Sequence, residues 1–142
     1  MTAQLGYDAE PSNIAATLAR ILSRQDQQFL VAELEGRPVG WLHALIVEYV
    51  ESGSFVVIGG LVVDSNHRRK GVGRLLMQHA EAWAKARGYS IVRLTSSTTR
   101  APAHQFYQEL GYAKIKTQYA FVKSIDDEGK EILQRFIPRV DA

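Results

Sequence analysis

The chain has 142 residues, 46% hydrophobic and 23% charged, proportions that suit one globular domain with one core. Lys and Arg number 17 against 15 Asp and Glu, a formal net charge of +2, too even for bulk charge to imply a nucleic-acid partner. The absence of cysteine excludes disulfides, thiolate metal sites and a cysteine nucleophile, and removes any argument for secretion.

No apolar run approaches the roughly 20 residues needed to span a bilayer, and Met1-Thr2-Ala3-Gln4 lacks the charged start and apolar stretch of a signal peptide. A cytoplasmic protein with no membrane partner is therefore expected. Neither repeats nor low-complexity tracts interrupt the chain, which reads as one domain over residues 1–142, with a core at about 4–125 and a C-terminal extension.

In chain order, Ser12 is placed to cap a first helix in which Ile14, Leu18, Ile21 and Leu22 recur at helical spacing until about Arg24. Three extended runs follow, Gln28–Leu34, Val39–Val50 and Phe55–Val63, separated by Glu35-Gly36-Arg37-Pro38 and by Glu51-Ser52-Gly53. They read as an antiparallel meander. A helix from about Gly71 to Arg87 carries Val72, Leu75, Leu76, His79, Ala80 and Trp83 on one face and stops at Gly88. On that face His79 has a structural reading. Ile91–Thr95 then reads as a strand, Pro102–Leu110 as a short helix ended by Gly111, and Tyr119–Ile125 as a last strand. Asp126 or Asp127 caps a closing helix with Ile132, Leu133 and Phe136, which Pro138 ends. The predicted order is α-βββ-α-β-α-β plus a C-terminal helix, an α/β (α+β) fold.

The turn Asp64 to Arg74 is the most informative stretch. It leads from an apolar strand into an amphipathic helix, and Arg68, Arg69, Lys70 and Arg74 crowd the helix start around Gly71, Val72 and Gly73. The first amides of a helix lack intrahelical partners and carry the positive end of its dipole, so they converge on an anion. Four cations at that end repel the dipole, and a bound polyanion reverses the sign. The bland alternative is a set of solvated charges beside a glycine-containing turn. Neither a Walker loop nor a Rossmann fingerprint is present, since Leu76 stands where the latter wants its third glycine.

Arg68-x-x-Gly71-x-Gly73 after an apolar strand resembles the R/Q-x-x-G-x-G/A motif of the GNAT superfamily of acetyl-CoA-dependent N-acetyltransferases. A second segment, Ala103-His104-Gln105-Phe106-Tyr107-Gln108-Glu109-Leu110-Gly111-Tyr112, resembles the family's A-x-x-F-Y-x-x-x-G-F. Together they cover roughly residues 4–125 and imply a mixed, mostly antiparallel sheet flanked by helices.

The resemblance implies acetyl-CoA as co-substrate and no metal. Its pyrophosphate would lie on Arg68, Arg69, Lys70, Gly71, Val72, Gly73 and Arg74, and its pantetheine arm along the main chain of Leu61, Val62 and Val63. Direct attack of an amine on a thioester needs a base, donors to the oxyanion and an acid for the thiolate. Tyr107 matches the family's proton donor to the coenzyme sulfur, and the Val63 N–H is the implied oxyanion donor. No carboxylate lies within Phe55–Val63, so Glu48 and His43 on the preceding strand are the base candidates, beside a water relay; strand alternation puts them on opposite faces.

Arg100 stands where many relatives have asparagine. With His104 it loosely resembles an R-x-x-A-H-x-F-Y variant of aminoglycoside and other small-amine acetyltransferases, which places both beside the cofactor. His104 is read either as touching the cofactor or as capping its helix. Relatives also carry a first strand ahead of the point resembling Gln4-Leu5-Gly6-Tyr7; without it, Gln28–Leu34 becomes a sheet edge, expected to be covered by Asp127–Ile137 or by a second subunit in a homodimer. The expected function is acetyl transfer to a small-molecule primary amine. A protein or peptide N-acetyltransferase, an inactive acyl-CoA-binding module, and a nucleic-acid-binding basic patch are the alternatives.

Overall fold

The computed structural model describes residues 11–136, which leaves Pro138 and the segment around Gln4 outside the described residues. The chain divides into two compact units, one ending at Ser97 and the other beginning at Thr98. The first unit holds α1 (Pro11–Leu22), β1 (Gln27–Leu34), β2 (Arg37–Tyr49), β3 (Gly53–Val63), a 3-10 turn at Ser65–His67, α2 (Val72–Ala86) and β4 (Val92–Arg93). The second holds α3 (Ala101–Glu109) and α4 (Asp127–Leu133).

The meander forms as the sequence predicts. β1, β2 and β3 run antiparallel in the order β1-β2-β3-β4, and β4 joins β3 in parallel. The first hairpin turns on only two residues, Glu35 and Gly36, both with positive φ (53° and 78°). This is the turn geometry whose twist matches that of the paired strands. The four-residue separator read from the sequence therefore shortens, and Arg37 and Pro38 enter β2.

One face of the sheet is sealed by α2. Leu42, Ala44 and Val56 are fully buried, as are Met77 and Ala80 from the helix, with Leu76 and Ala84 nearly so. Close approach depends on Gly40, where an added Cβ would sit 3.1 Å from Val72 Cγ1 and 3.3 Å from Leu76 Cδ1. The predicted apolar stripe of α2 is rotated by one position. Leu75 and His79 are exposed, whereas Met77 and Ala84 are buried. Met77 packs better than the polar His79, and both lie within the ambiguity of a pattern with apolar residues on most sides.

Three further expectations change. Ser12 lies inside α1, which begins at Pro11, so it is not the cap; a proline fits the first helical position because its missing N–H is not needed there. Strand Ile91–Thr95 contracts to Val92–Arg93, paired with Val56 and Val57. The segment Tyr119–Ile125 forms no ladder, and Tyr119, Phe121 and Ile125 are about nine-tenths exposed. Alternating apolar residues make a strand only beside a partner strand, and the second unit contains none among its described residues. In that unit Asp126 does cap α4, its Oδ1 accepting from the Gly129 N–H at 2.7 Å. Among the described residues no helix is long and apolar enough to cross a membrane.

Candidate functional site

The connection from β3 to α2 is built to present backbone donors. After Asp64, the 3-10 turn is pinned by His67, whose N–H donates to the Asp64 carbonyl at 2.8 Å and whose Nδ1 lies 2.8 Å from Asp64 Oδ2. Arg69 then takes a left-handed conformation (φ 66°) and Gly71 another (φ 83°). These two reversals swing the chain into α2 with Gly71 as its N-cap residue, and no side chain caps that end. Leu75 N–H returns to the Gly71 carbonyl at 3.0 Å, which leaves the amides of Val72, Gly73 and Arg74 directed out of the helix end.

No acidic residue occupies the first turn of α2. Arg68, Arg69, Lys70 and Arg74 are all exposed around it, and among the described residues none of the four is paired with a carboxylate. Donors, dipole and charge thus share one sign.

Leading into this loop, β3 offers an open edge. Its pairing with β4 stops at Val57 and Arg93, so beyond Val57 its outer side has no ladder partner among the described residues. Asp64 N–H donates inward to the Val39 carbonyl at 2.8 Å. Successive residues of an antiparallel strand alternate in hydrogen-bonding direction, so Val62 is turned to β2 while Leu61 and Val63 direct N–H and C=O to the open side. Arg68 Nε reaches that outward carbonyl of Val63 at 3.4 Å.

Halfway along β3 the register slips, with His43 opposite Gly60 but Ala44 opposite Ile58, so Gly59 bulges. His43 lies over this bulge. Its Nε2 is 2.7 Å from Gln27 Oε1, and a Cβ on Gly59 would approach its Nδ1 to 3.1 Å. Burial pushes the imidazole pKa below its ordinary value, which keeps the ring neutral near pH 7. Glu48 is not brought to this place. It is exposed near the far end of β2, opposite Ser54, five residues from His43 and about 17 Å away at the rise of an extended strand.

In the second unit, α3 starts after Arg100 with a proline in its first turn, and His104 N–H closes its first hydrogen bond on the Arg100 carbonyl at 3.1 Å. Tyr107 is half-buried, its ring edge-on to Phe106 (5.2 Å) and Tyr112 (6.2 Å). Burial raises its pKa, partly opposed by the charge of Arg100, so the phenol holds its proton above the usual range for tyrosine.

The model of the Acetyltransferase (GNAT) family matches residues 3–112. This chain belongs to the GNAT family of acetyltransferases. Among relatives, an uncharacterized N-acetyltransferase of Methanocaldococcus jannaschii is 31% identical over 74% of this chain and 47% of its own length. Streptothricin acetyltransferase of Streptomyces lavendulae is 32% identical over 65% and 49%. The chain thus spans about half the length of these curated relatives. The apo crystal structure of the aminoglycoside 6'-N-acetyltransferase AAC(6')-IG from Acinetobacter haemolyticus shares the fold, with a TM-score of 0.74 at 24% identity over 84% of this chain and 86% of that one.

The residues fit the acetyl-CoA that a GNAT fold implies. Gly71 has no atom within 4 Å of where a Cβ would lie, leaving space at the helix end for a phosphate, and the Leu61 N–H and C=O and the Val63 N–H turn to the side of β3 that has no ladder partner among the described residues, suited to a chain that itself carries amides. Sequence reasoning missed Gln27 and the bulge. The adjacent Gly59-Gly60 inside an apolar strand was the signal for the bulge; nothing in the sequence marks Gln27.

Proposed function

We propose that this GNAT chain transfers an acetyl group from acetyl-CoA to a primary amine of a small molecule. The observation that carries the reading is the uncapped, cation-ringed start of α2 directly after a strand with an open edge. Acetyl-CoA supplies the activated acetyl thioester. Val72, Gly73 and Arg74 amides with the side chains of Arg68, Arg69, Lys70 and Arg74 bind its pyrophosphate, and Leu61 and Val63 hold its arm. The Val63 N–H donates to the thioester oxygen.

An ammonium substrate gives up one proton to a base before attack and a second as the N–C bond forms. The C–S bond breaks, Tyr107 supplies a proton to the sulfur, and the second proton lost from nitrogen restores the phenol. The products are one amide, one thiol and one proton released to water. Arg100, which precedes α3, and His104 in its first turns both lie N-terminal to Tyr107 and are assigned to the cofactor end.

Relatives that include streptothricin and aminoglycoside acetyltransferases support this class of acceptor. A cytoplasmic location and a single catalytic domain complete the reading. A homodimer would cover the outer edge of β1, the terminal strand of the sheet among the described residues.

Thermal unfolding with and without acetyl-CoA tests cofactor binding without needing the amine. A ligand at 100 times its Kd adds about 2.7 kcal/mol to native stability, and a clear rise in Tm is expected. No shift at millimolar acetyl-CoA would contradict the proposal.

A further inference from the structure

We propose that Gln27 is a positioning residue that holds His43 as the Nε2–H tautomer, so that Nδ1 over the Gly59 bulge accepts the proton of the incoming ammonium. This rests on the acetyltransferase reading above and adds to it the identity of the base.

The geometry fixes the tautomer. A carboxamide oxygen only accepts, so Gln27 Oε1 at 2.7 Å requires a hydrogen on Nε2. A neutral imidazole carries one ring hydrogen, which leaves the lone pair on Nδ1. That nitrogen faces Gly59, where a Cβ would crowd Nδ1 at 3.1 Å and Leu45 Cδ2 at 3.2 Å. The lack of a side chain at Gly59 therefore lets Nδ1 sit over the bulge. His43, Gln27 and the bulge lie on the sheet face opposite the one that buries Leu42 and Ala44.

Few charges compete for this site. The ionisable residues of the sheet are Glu33 on β1, Arg37, Glu48 and Tyr49 on β2, none on β3, and Arg93 on β4, whose guanidinium is held over the Phe55 ring at 4.8 Å. On α1, which packs against β1, Arg20 is engaged with Thr17 at 3.1 Å. The lowered pKa of His43 has burial as its cause and no charge. At neutral pH the ring is ready to take a proton, and the ammonium delivers one from N to Nδ1. The imidazolium then returns it to water.

The test compares kcat against pH for the wild type, His43→Gln, Gln27→Leu and Gln27→Glu, with ¹⁵N spectra of the histidine ring. Wild-type activity should fall on the acid side with a midpoint below 6.5, the ordinary histidine value. His43→Gln should lose that limb and about 100-fold or more in kcat. Gln27→Glu should move the limb to higher pH, because a carboxylate on Nε2–H stabilises the imidazolium, and Gln27→Leu should lower kcat with KM for acetyl-CoA unchanged. The spectra should show hydrogen on Nε2.

An acid limb that persists in His43→Gln, or that stays in place in Gln27→Glu, overturns the proposal. If no amine turns over, the acetyltransferase reading is what fails; hydrogen on Nδ1 in the spectra would still overturn the tautomer assignment on its own.

Discussion

Gly71→Glu is expected to leave the protein folded and to weaken acetyl-CoA binding by at least about 100-fold, about 2.8 kcal/mol at 1.4 kcal/mol per decade. The site has room for a side chain, since a Cβ would meet nothing within 4 Å. Its φ of 83° costs a non-glycine residue about 1–2 kcal/mol, and a carboxylate at a helix start returns about 0.3–1 kcal/mol. The fold therefore survives. Binding does not, because the carboxylate enters the volume where Val72, Gly73 and Arg74 amides converge and takes their positive field for itself. Gly71→Ala carries the same strain without the charge, and calorimetry should find its affinity within a few-fold of wild type. Equal affinity in wild type and Gly71→Glu would place the pyrophosphate elsewhere.

Tyr107→Phe is expected to lower kcat by about 10²- to 10⁴-fold, the usual contribution of a positioned proton donor, while KM for acetyl-CoA changes little. Phenylalanine keeps the ring packed against Phe106 and Tyr112, so the change removes a hydroxyl and leaves the shape. The sign of the pH dependence follows from the raised pKa of this half-buried phenol. The active form is protonated, so wild-type kcat should hold through neutral pH and fall only above 10, and the variant should lack that alkaline limb. Steady-state kinetics across pH check both statements. Unchanged kcat in Tyr107→Phe would return this residue to a packing role on α3.

The parts that were legible in the sequence are those whose physics is local. Apolar runs bounded by glycine turns predicted the β1–β3 meander, and the sequence Arg68 to Arg74 predicted a glycine turn into a helix start ringed by cations, because loop, glycines, cations and helix are contiguous. Non-local features escaped. Whether Tyr119–Ile125 pairs is decided by what lies beside it, and its alternating pattern carries no information on that point. The rotation of the α2 stripe was hidden because Leu75, Leu76, Met77 and Ala80 offer more than one apolar arc, and only packing against Gly40 and Leu42 chooses between them. The Gln27–His43 contact joins residues 16 apart, brought together by strand register alone. Glu48 and His43 were both base candidates on opposite faces of one strand, and their surroundings were not legible: His43 lies over the bulge and Glu48 at the exposed strand end.

The most direct test of the central claim is mass spectrometry of a panel of small primary amines, aminoglycosides among them, incubated with acetyl-CoA and the purified protein while free thiol is followed in parallel. The account predicts one acetyl group added to at least one amine, thiol appearing in equal amount, and both lost together in Gly71→Glu. Tight acetyl-CoA binding with no acetylated amine and no thiol release would contradict it, and would identify the chain as an acyl-CoA-binding module on the same fold.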